Sequence, residues 1–281
     1  MADLSHSSDD NDCHDDDAKQ RVIKLPGVTA SVATGGALSL DVLTTGLGAG
    51  AKLVSFKSSA GADLYADRNG DLLYLADADK FLRLGAGQTK IDVISYKVED
   101  AQGHQATGEI TVTVSALDPA ALAGTHKSNV LIGNDTNEIF FAGRGDDGVL
   151  ANGGHDTIYG GAGGDQLFGG DGNDLIVGGS GGDWMYGDYG ADTLVGGAGA
   201  DVFVFTDFWA DDVVLGFDPK RDKIQLPIVY FNSFADVKAA AHDDGHGNLV
   251  ISTPDHTGAV SSITLVNTSI NALKASDFVF I

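Results

Sequence analysis

Aspartate recurs every nine residues through the middle of the chain, at Asp147, Asp156, Asp165, Asp174, Asp183, Asp192 and Asp201. Each sits in a bed of glycine and is followed two residues later by one large apolar side chain, as in "GGAGGDQLFGGDGNDLIVGGSGGDWMYGD" at 160–188. Carboxylates at fixed spacing, beside glycine turns whose carbonyls are free to point inward, are donors for a hard cation. Oxygen ligands of this kind favour calcium over zinc or copper.

The elements that position these carboxylates follow from the period. Eight nine-residue units begin at Ile132, Ala142, Ala151, Gly160, Gly169, Gly178, Gly187 and Gly196, with Phe141 as a single insertion. Position six reads Asn137 and then the seven aspartates; position eight reads Ile139, Val149, Ile158, Leu167, Ile176, Met185, Leu194 and Phe203. One apolar residue per unit is too little for a core, so the units have to stack. Two units make one 18-residue coil with a short parallel strand on each side, and aspartates 18 residues apart stand about 4.8 Å apart.

Stacking sets up a conflict. Ile132–Val204 carries twelve acids against one base, Arg144, which is 12 − 1 = 11 net negative charges. Two carboxylates about 5 Å apart repel by roughly 0.8 kcal/mol in water, and by more in a drier turn. A divalent cation between adjacent turns removes that repulsion.

The stretch resembles the repeats-in-toxin (RTX) calcium-binding nonapeptides, whose consensus is G-G-x-G-x-D-x-U-x. The resemblance implies a parallel β-roll with Ca2+ shared between successive turns. One column of ligands is then Asp147, Asp165, Asp183 and Asp201, and the other is Asp156, Asp174 and Asp192. It further implies carbonyl ligands from Gly143, Gly145, Gly154, Gly161, Gly163, Gly170, Gly172, Gly179, Gly181 and Gly190. Asn137, Asn152 and Asp188 depart from the consensus, and the first coil is expected to bind weakly.

Composition narrows the partners. The net charge is −23, and of 40 acids all but Glu99, Glu109 and Glu138 are Asp, which suits tight turns and short-reach metal loops. Such a balance argues against nucleic acid and anionic membranes. The single cysteine, Cys13, excludes an intrachain disulfide framework, and the sequence holds no apolar run long enough for a membrane span.

Residues 1–21 read as a disordered acidic tail with no secretory signal at its start. His6, Cys13 and His14 lie there, but no second cluster completes a metal shell. Residues 22–117 are rich in short β-like runs such as "EITVTVS", with a hairpin turn at "RNGD" (68–71), which predicts an antiparallel sandwich. The segment 84–118 resembles the VCBS and bacterial cadherin-like repeats of surface proteins, implying an immunoglobulin/cadherin-like module associated with adhesion. Turn acids Asp67, Asp71 and Asp100 read as turn acids first and calcium ligands second.

A linker is expected over 118–129 and the roll over 130–204. Residues 205–281 are expected to form a β-rich cap, with "SFADVKAAA" as a short helix. The final "LKASDFVFI" resembles the C-terminal signal of type I secretion substrates, which implies a secreted protein handled by a type I apparatus.

Three motifs inside the repeat are discounted. Ser180 in "GGSGG" lacks the strand-to-helix turn and histidine of a nucleophile elbow. "GRGDDG" (143–148) lacks the βαβ setting of a dinucleotide fingerprint, and Arg144-Gly145-Asp146 reads as a calcium turn. Outside the repeat, "HDDGH" (242–246) reads as a loop.

The expectation is an all-β, secreted, non-catalytic calcium-binding protein: an N-terminal sandwich, a parallel β-roll and a C-terminal cap. Its partners are expected to be extracellular polysaccharide or a cell surface. Two other readings stand beside it: a small hydrolase or lyase using the roll for export, and a calcium-stiffened matrix component.

Overall fold

A computed structural model describes residues 23–24, 28–33, 37–40, 51–66, 72–76, 88–115, 121–206, 210–254 and 260–281. Cys13, His6, His14, Asp67 and Asp71 therefore lie outside the described residues. The architecture is all-β, with a parallel solenoid of about six turns.

The N-terminal part contributes β1 (Ile23–Lys24), β2 (Val28–Ala33), β3 (Ala37–Leu40), β4 (Lys52–Ser58), β5 (Asp63–Ala66), β6 (Leu72–Leu75), β7 (Thr89–Glu99) and β8 (Gln105–Ser115). β4, β7, β8, β1 and β2 form one sheet and β3–β6–β5 a second. Leu72 and Tyr74 from the small sheet share one core with Ile94, Tyr96, Val112 and Val114 from the large one. The alternation seen in "EITVTVS" appears directly, since Ile110, Val112 and Val114 are buried and the residues between them are not.

β5 and β6 pair antiparallel with Ala66 opposite Leu72; the turn expected at "RNGD" (68–71) lies outside the described residues. The sheets are not wholly antiparallel, however: β1 and β2 both run parallel to β8. The reason is sequence distance, because strands at opposite ends of a domain are joined by a long path and are free of the hairpin constraint.

Asp92 lies fully inside this core. Burial pushes its carboxyl up, but hydrogen bonds from Ser58 Oγ (2.6 Å), Ala60 N (2.8 Å), Ser59 Oγ (2.9 Å) and Tyr74 OH (3.1 Å) outweigh that and hold it below the ordinary range. Asp100 is occupied too, accepting from the backbone of Gln102 and His104 and facing His104 Nδ1 at 2.9 Å. It is a turn acid.

The solenoid has two parallel sheets. One holds β10 (Val130–Ile132), β12 (Gly148–Leu150), β14 (Gln166–Asp171), β16 (Trp184–Tyr189), β18 (Val202–Val204), β20 (Lys223–Leu226) and β24 (Phe278–Phe280). The other holds β9 (Leu122–Thr125), β11 (Ile139–Arg144), β13 (Thr157–Ala162), β15 (Leu175–Gly181), β17 (Thr193–Gly199) and β19 (Asp211–Leu215) in parallel order. It ends in β23 (Val260–Leu265), β22 (Leu249–Pro254) and β21 (Ala241–Asp243), of which the last two pairings are antiparallel. Between the sheets run Ile158, Leu167, Ile176, Met185, Leu194 and Phe203, all fully buried.

The first unit needs a different phase. Phe140, not Ile139, is the buried partner of Ile158, and Ile139 stands opposite Thr157. The unit thus begins at Gly133, places Glu138 at position six, and requires no insertion at Phe141. The ring of Phe140 out-competes Ile139 for the core position, and a pattern anchored on Asn137 could not register that. β9 pairs with β11, so the solenoid already starts within the segment expected as linker.

Helix α1 (Phe234–Ala240) falls in the expected segment, and Ser233 caps it by accepting from Asp236 N.

Candidate metal centre

The aspartates form two columns held by one repeated bond. The backbone N–H of position six donates to Oδ1 of the aspartate one coil later. On one side this runs from Asn129 to Asp147 (2.7 Å), Asp147 to Asp165 (2.8 Å), Asp165 to Asp183 (2.9 Å) and Asp183 to Asp201 (3.0 Å). On the other it runs from Glu138 to Asp156, Asp156 to Asp174 and Asp174 to Asp192, each at 2.8 Å. All seven carboxylates predicted from the sequence are buried.

Only one oxygen of each is satisfied. Oδ2 of Asp147, Asp156, Asp165, Asp174, Asp183, Asp192 and Asp201 is buried and accepts no hydrogen bond. A buried acceptor left unmatched costs about 1–3 kcal/mol, and more when charged. Seven of them amount to roughly 7–20 kcal/mol, against a typical folding stability of about 5–15 kcal/mol. Ionised and without a positive partner, these oxygens oppose the packing of the roll.

The carboxyl groups register the same strain. Burial first, and then neighbouring carboxylates, push Asp156, Asp165 and Asp174 up to about 6 and Asp183 and Asp192 up to about 7, despite the opposing N–H bonds. Asp147 and Asp201 are raised by burial as well.

Glycine makes room for these oxygens. A Cβ on Gly178 would lie 2.4 Å from Asp183 Oδ2 and 2.8 Å from the Gly196 carbonyl. The ten expected carbonyl donors, Gly143 to Gly190, all have positive φ, the conformation that only glycine adopts freely. Their carbonyls point along the stack: a Cβ on Gly172 would lie 1.5 Å from the oxygen of Gly154. Asn152 (φ 78°) and Asp188 (φ 68°) take the same left-handed turn; Asn and Asp are among the non-glycine residues that tolerate it best.

Among the described residues no three His, Cys, Asp or Glu side chains converge on one point. Any shell here therefore combines one or two carboxylates with backbone carbonyls, which is an oxygen-only donor set suited to calcium.

Two members of the columns escaped the sequence reading. Asp192 N donates to Asp212 Oδ1 at 2.9 Å, and Asp201 N to Asp222 Oδ1 at 3.1 Å. Both acids are buried, and burial pushes Asp212 up to about 8. The available signal was aspartate two residues before a core residue, Val214 or Ile224, without the preceding glycines. Asp222 ends its column differently, since its Oδ2 accepts from Asp218 N at 2.8 Å.

The discounted motifs have structural employment. Asp146 of the Arg-Gly-Asp tripeptide accepts from Gly164 N at 2.9 Å, and Ser180 Oγ faces the Gly161 carbonyl at 3.5 Å. In "HDDGH", Asp244 accepts from the backbone of His246 and Asn248, closing a turn.

The RTX calcium-binding nonapeptide repeat matches in four copies, at residues 122–149, 132–167, 150–185 and 168–203. These repeats bind Ca2+. No curated protein matches the chain.

Among solved structures, the chain is similar to a subunit of the Azotobacter vinelandii mannuronan C5-epimerase, with 27% identity over 58% of this chain and 85% of that one (TM-score 0.28). It is also similar to the extracellular lipase LipA from Serratia marcescens, at 14% identity over 61% of this chain and 44% of that one (TM-score 0.33). A third is the 2,6-sialyltransferase of Photobacterium sp. JT-ISH-224, at 14% identity (TM-score 0.27), where the match covers 42% of this chain and spans only 21% of the enzyme.

Proposed function

We propose that the RTX repeats of this chain make it a secreted, non-catalytic calcium-binding protein. Its roll folds on meeting calcium outside the cell and carries a module for adhesion or for binding a matrix polysaccharide. The observation that carries the calcium reading is the set of seven buried Oδ2 atoms without a partner, aligned in two columns. Bound calcium supplies the positive charge that lets these oxygens stay ionised inside the stack. Oδ1 of each aspartate meanwhile holds the adjacent coil, and the glycine carbonyls complete the donor set.

Affinity is expected in the range of extracellular modules, about 10⁻⁴–10⁻³ M. Circular dichroism of the full chain tests the reading: β-structure should rise on titrating calcium into chelator-treated protein. Equal spectra in excess chelator and in saturating calcium would sink it.

RTX repeat proteins are typically exported by type I secretion, and some are enzymes. Among the described residues no helix is long and apolar enough to cross a membrane. For this chain the proposed export signal is the C-terminal "DFVFI". In the folded protein that segment is also the last strand: Phe278 is buried in the solenoid core, and Ile281 N donates to the Leu226 carbonyl at 3.1 Å. Val279 and Ile281 are exposed. Val279→Ser with Ile281→Ser should therefore lower secretion through a type I exporter while calcium-induced folding persists. Undiminished secretion would remove the signal from this account.

The adhesive role rests on the resemblance of 84–118 to surface-protein modules. A glycan array in millimolar calcium tests it, and the absence of any binder would favour a stiffening role in a matrix.

A further inference from the structure

Strand β6 is buried on both faces. Leu72 and Tyr74 face the N-terminal core, whereas Leu75 (1% exposed) belongs to a second apolar cluster whose other members include Phe141, Tyr159, Val177, Val195 and Leu215 on the outside of the solenoid. Tyr65 and Leu73 join the same cluster. The unbroken apolar run "LLYL" fits a strand without a solvent side.

On the solenoid, the members of that cluster come from successive coils. Phe141 stands opposite Tyr159, Tyr159 opposite Val177, Val177 opposite Val195 and Val195 opposite Leu215. The rings of Phe141 and Tyr159 stack with centroids 5.3 Å apart. Each coil supplies one member of the column, so the strip exists only once the coils are stacked. Unstacked, these residues are scattered 18 or more positions apart along an acidic chain and offer nothing to dock on.

We propose that this strip is the docking surface for the chain's own small sheet, Asp63–Ala66 with Leu72–Leu75, and that calcium creates it by closing the roll. The inference rests on the calcium-folding reading above and extends it: the metal also seats the N-terminal domain on the stack. Without calcium the two parts behave as beads on a string; with calcium they form one body held by an apolar seam. The N-terminal domain then gains its fixed orientation only after the roll has folded.

Hydrogen–deuterium exchange on the full chain, with and without calcium, tests this. In the native sequence, calcium should protect the amides of β5 and β6 in step with those of β13 and β15. Tyr159→Asp with Val177→Asp places two charges on the outer strip without touching the inward core. This variant should keep calcium-dependent protection of β13 and β15 and lose it in β5 and β6. Leu75→Ser attacks the seam from the other side and should give the same split, which covers the case of a roll variant that fails to fold. Protection of β5 and β6 that is independent of calcium, or unchanged in both variants, would overturn the proposal. Failure of β13 and β15 to respond in the native chain would instead refute calcium-induced folding itself.

Discussion

The backbone N–H of Asp192 donates to Oδ1 of Asp212 across 2.9 Å, although 20 residues separate them and no nonapeptide surrounds the second. The aspartate column therefore outlasts the repeat that announces it. Asp212→Ala should raise the calcium concentration at half-folding, because it removes the acceptor at the last coil. Asp211→Ala removes an exposed carboxylate bonded to Ser262 Oγ at 2.7 Å and should leave that midpoint nearly unchanged. Coincident calcium titrations of the two variants would show that Asp212 takes no part.

At Gly178 the constraint is volume rather than backbone angle, although Ala142 and Ala151 hold the same position in earlier units. Gly178→Ala puts a methyl group 2.4 Å from Asp183 Oδ2, whereas at Gly148 the nearest atoms lie 4.0 Å away. Gly178→Ala should weaken calcium-dependent folding by several-fold and Gly148→Ala should be tolerated. Calorimetric calcium titration separates them, and equal affinities would count against the placement of Asp183.

Protons and calcium compete for the same oxygens. Carboxyls at about 6 to about 7 in the folded roll lie above their unfolded value of about 3.9. A group with a raised folded value adds stability that is complete at low pH and lost as pH rises through the folded value. The metal-free chain should accordingly gain β-structure as pH falls from 8 towards 5. Over the same range the calcium midpoint should climb, because binding must now displace protons. Circular dichroism in chelator at several pH values measures the first effect, and a flat profile would contradict it.

The last strand is part of the core as well as the proposed export signal. Phe278 stacks with Phe234 at 5.4 Å between centroids and with Phe280 at 6.2 Å. Phe278→Ala should cost about 3–5 kcal/mol of stability in saturating calcium, the usual range for a buried phenylalanine. Urea unfolding checks it. A loss below about 1 kcal/mol would mean that β24 is only loosely attached, since even an Ile→Val deletion costs about that much.

The sequence by itself determined the roll. A nine-residue period with glycine, aspartate and one apolar residue at constant offsets admits one way of burying anything, which is to stack. The stacking of Asp147 to Asp201 in two columns was legible for that reason, and calcium was legible because ionised carboxylates so stacked repel one another. What depends on three-dimensional competition was not legible. Phe140 displaced Ile139 from the core and shifted the first unit by one residue, because the larger ring fills the stack better. Asp212 and Asp222 joined the columns only because strands β19 and β20 pair back onto the roll across irregular loops. The second buried face of β6 was likewise decided by tertiary structure. The strip that shares a cluster with Leu75 is assembled from residues 18 or more positions apart, and no local pattern can announce a surface that exists only after the coils are stacked.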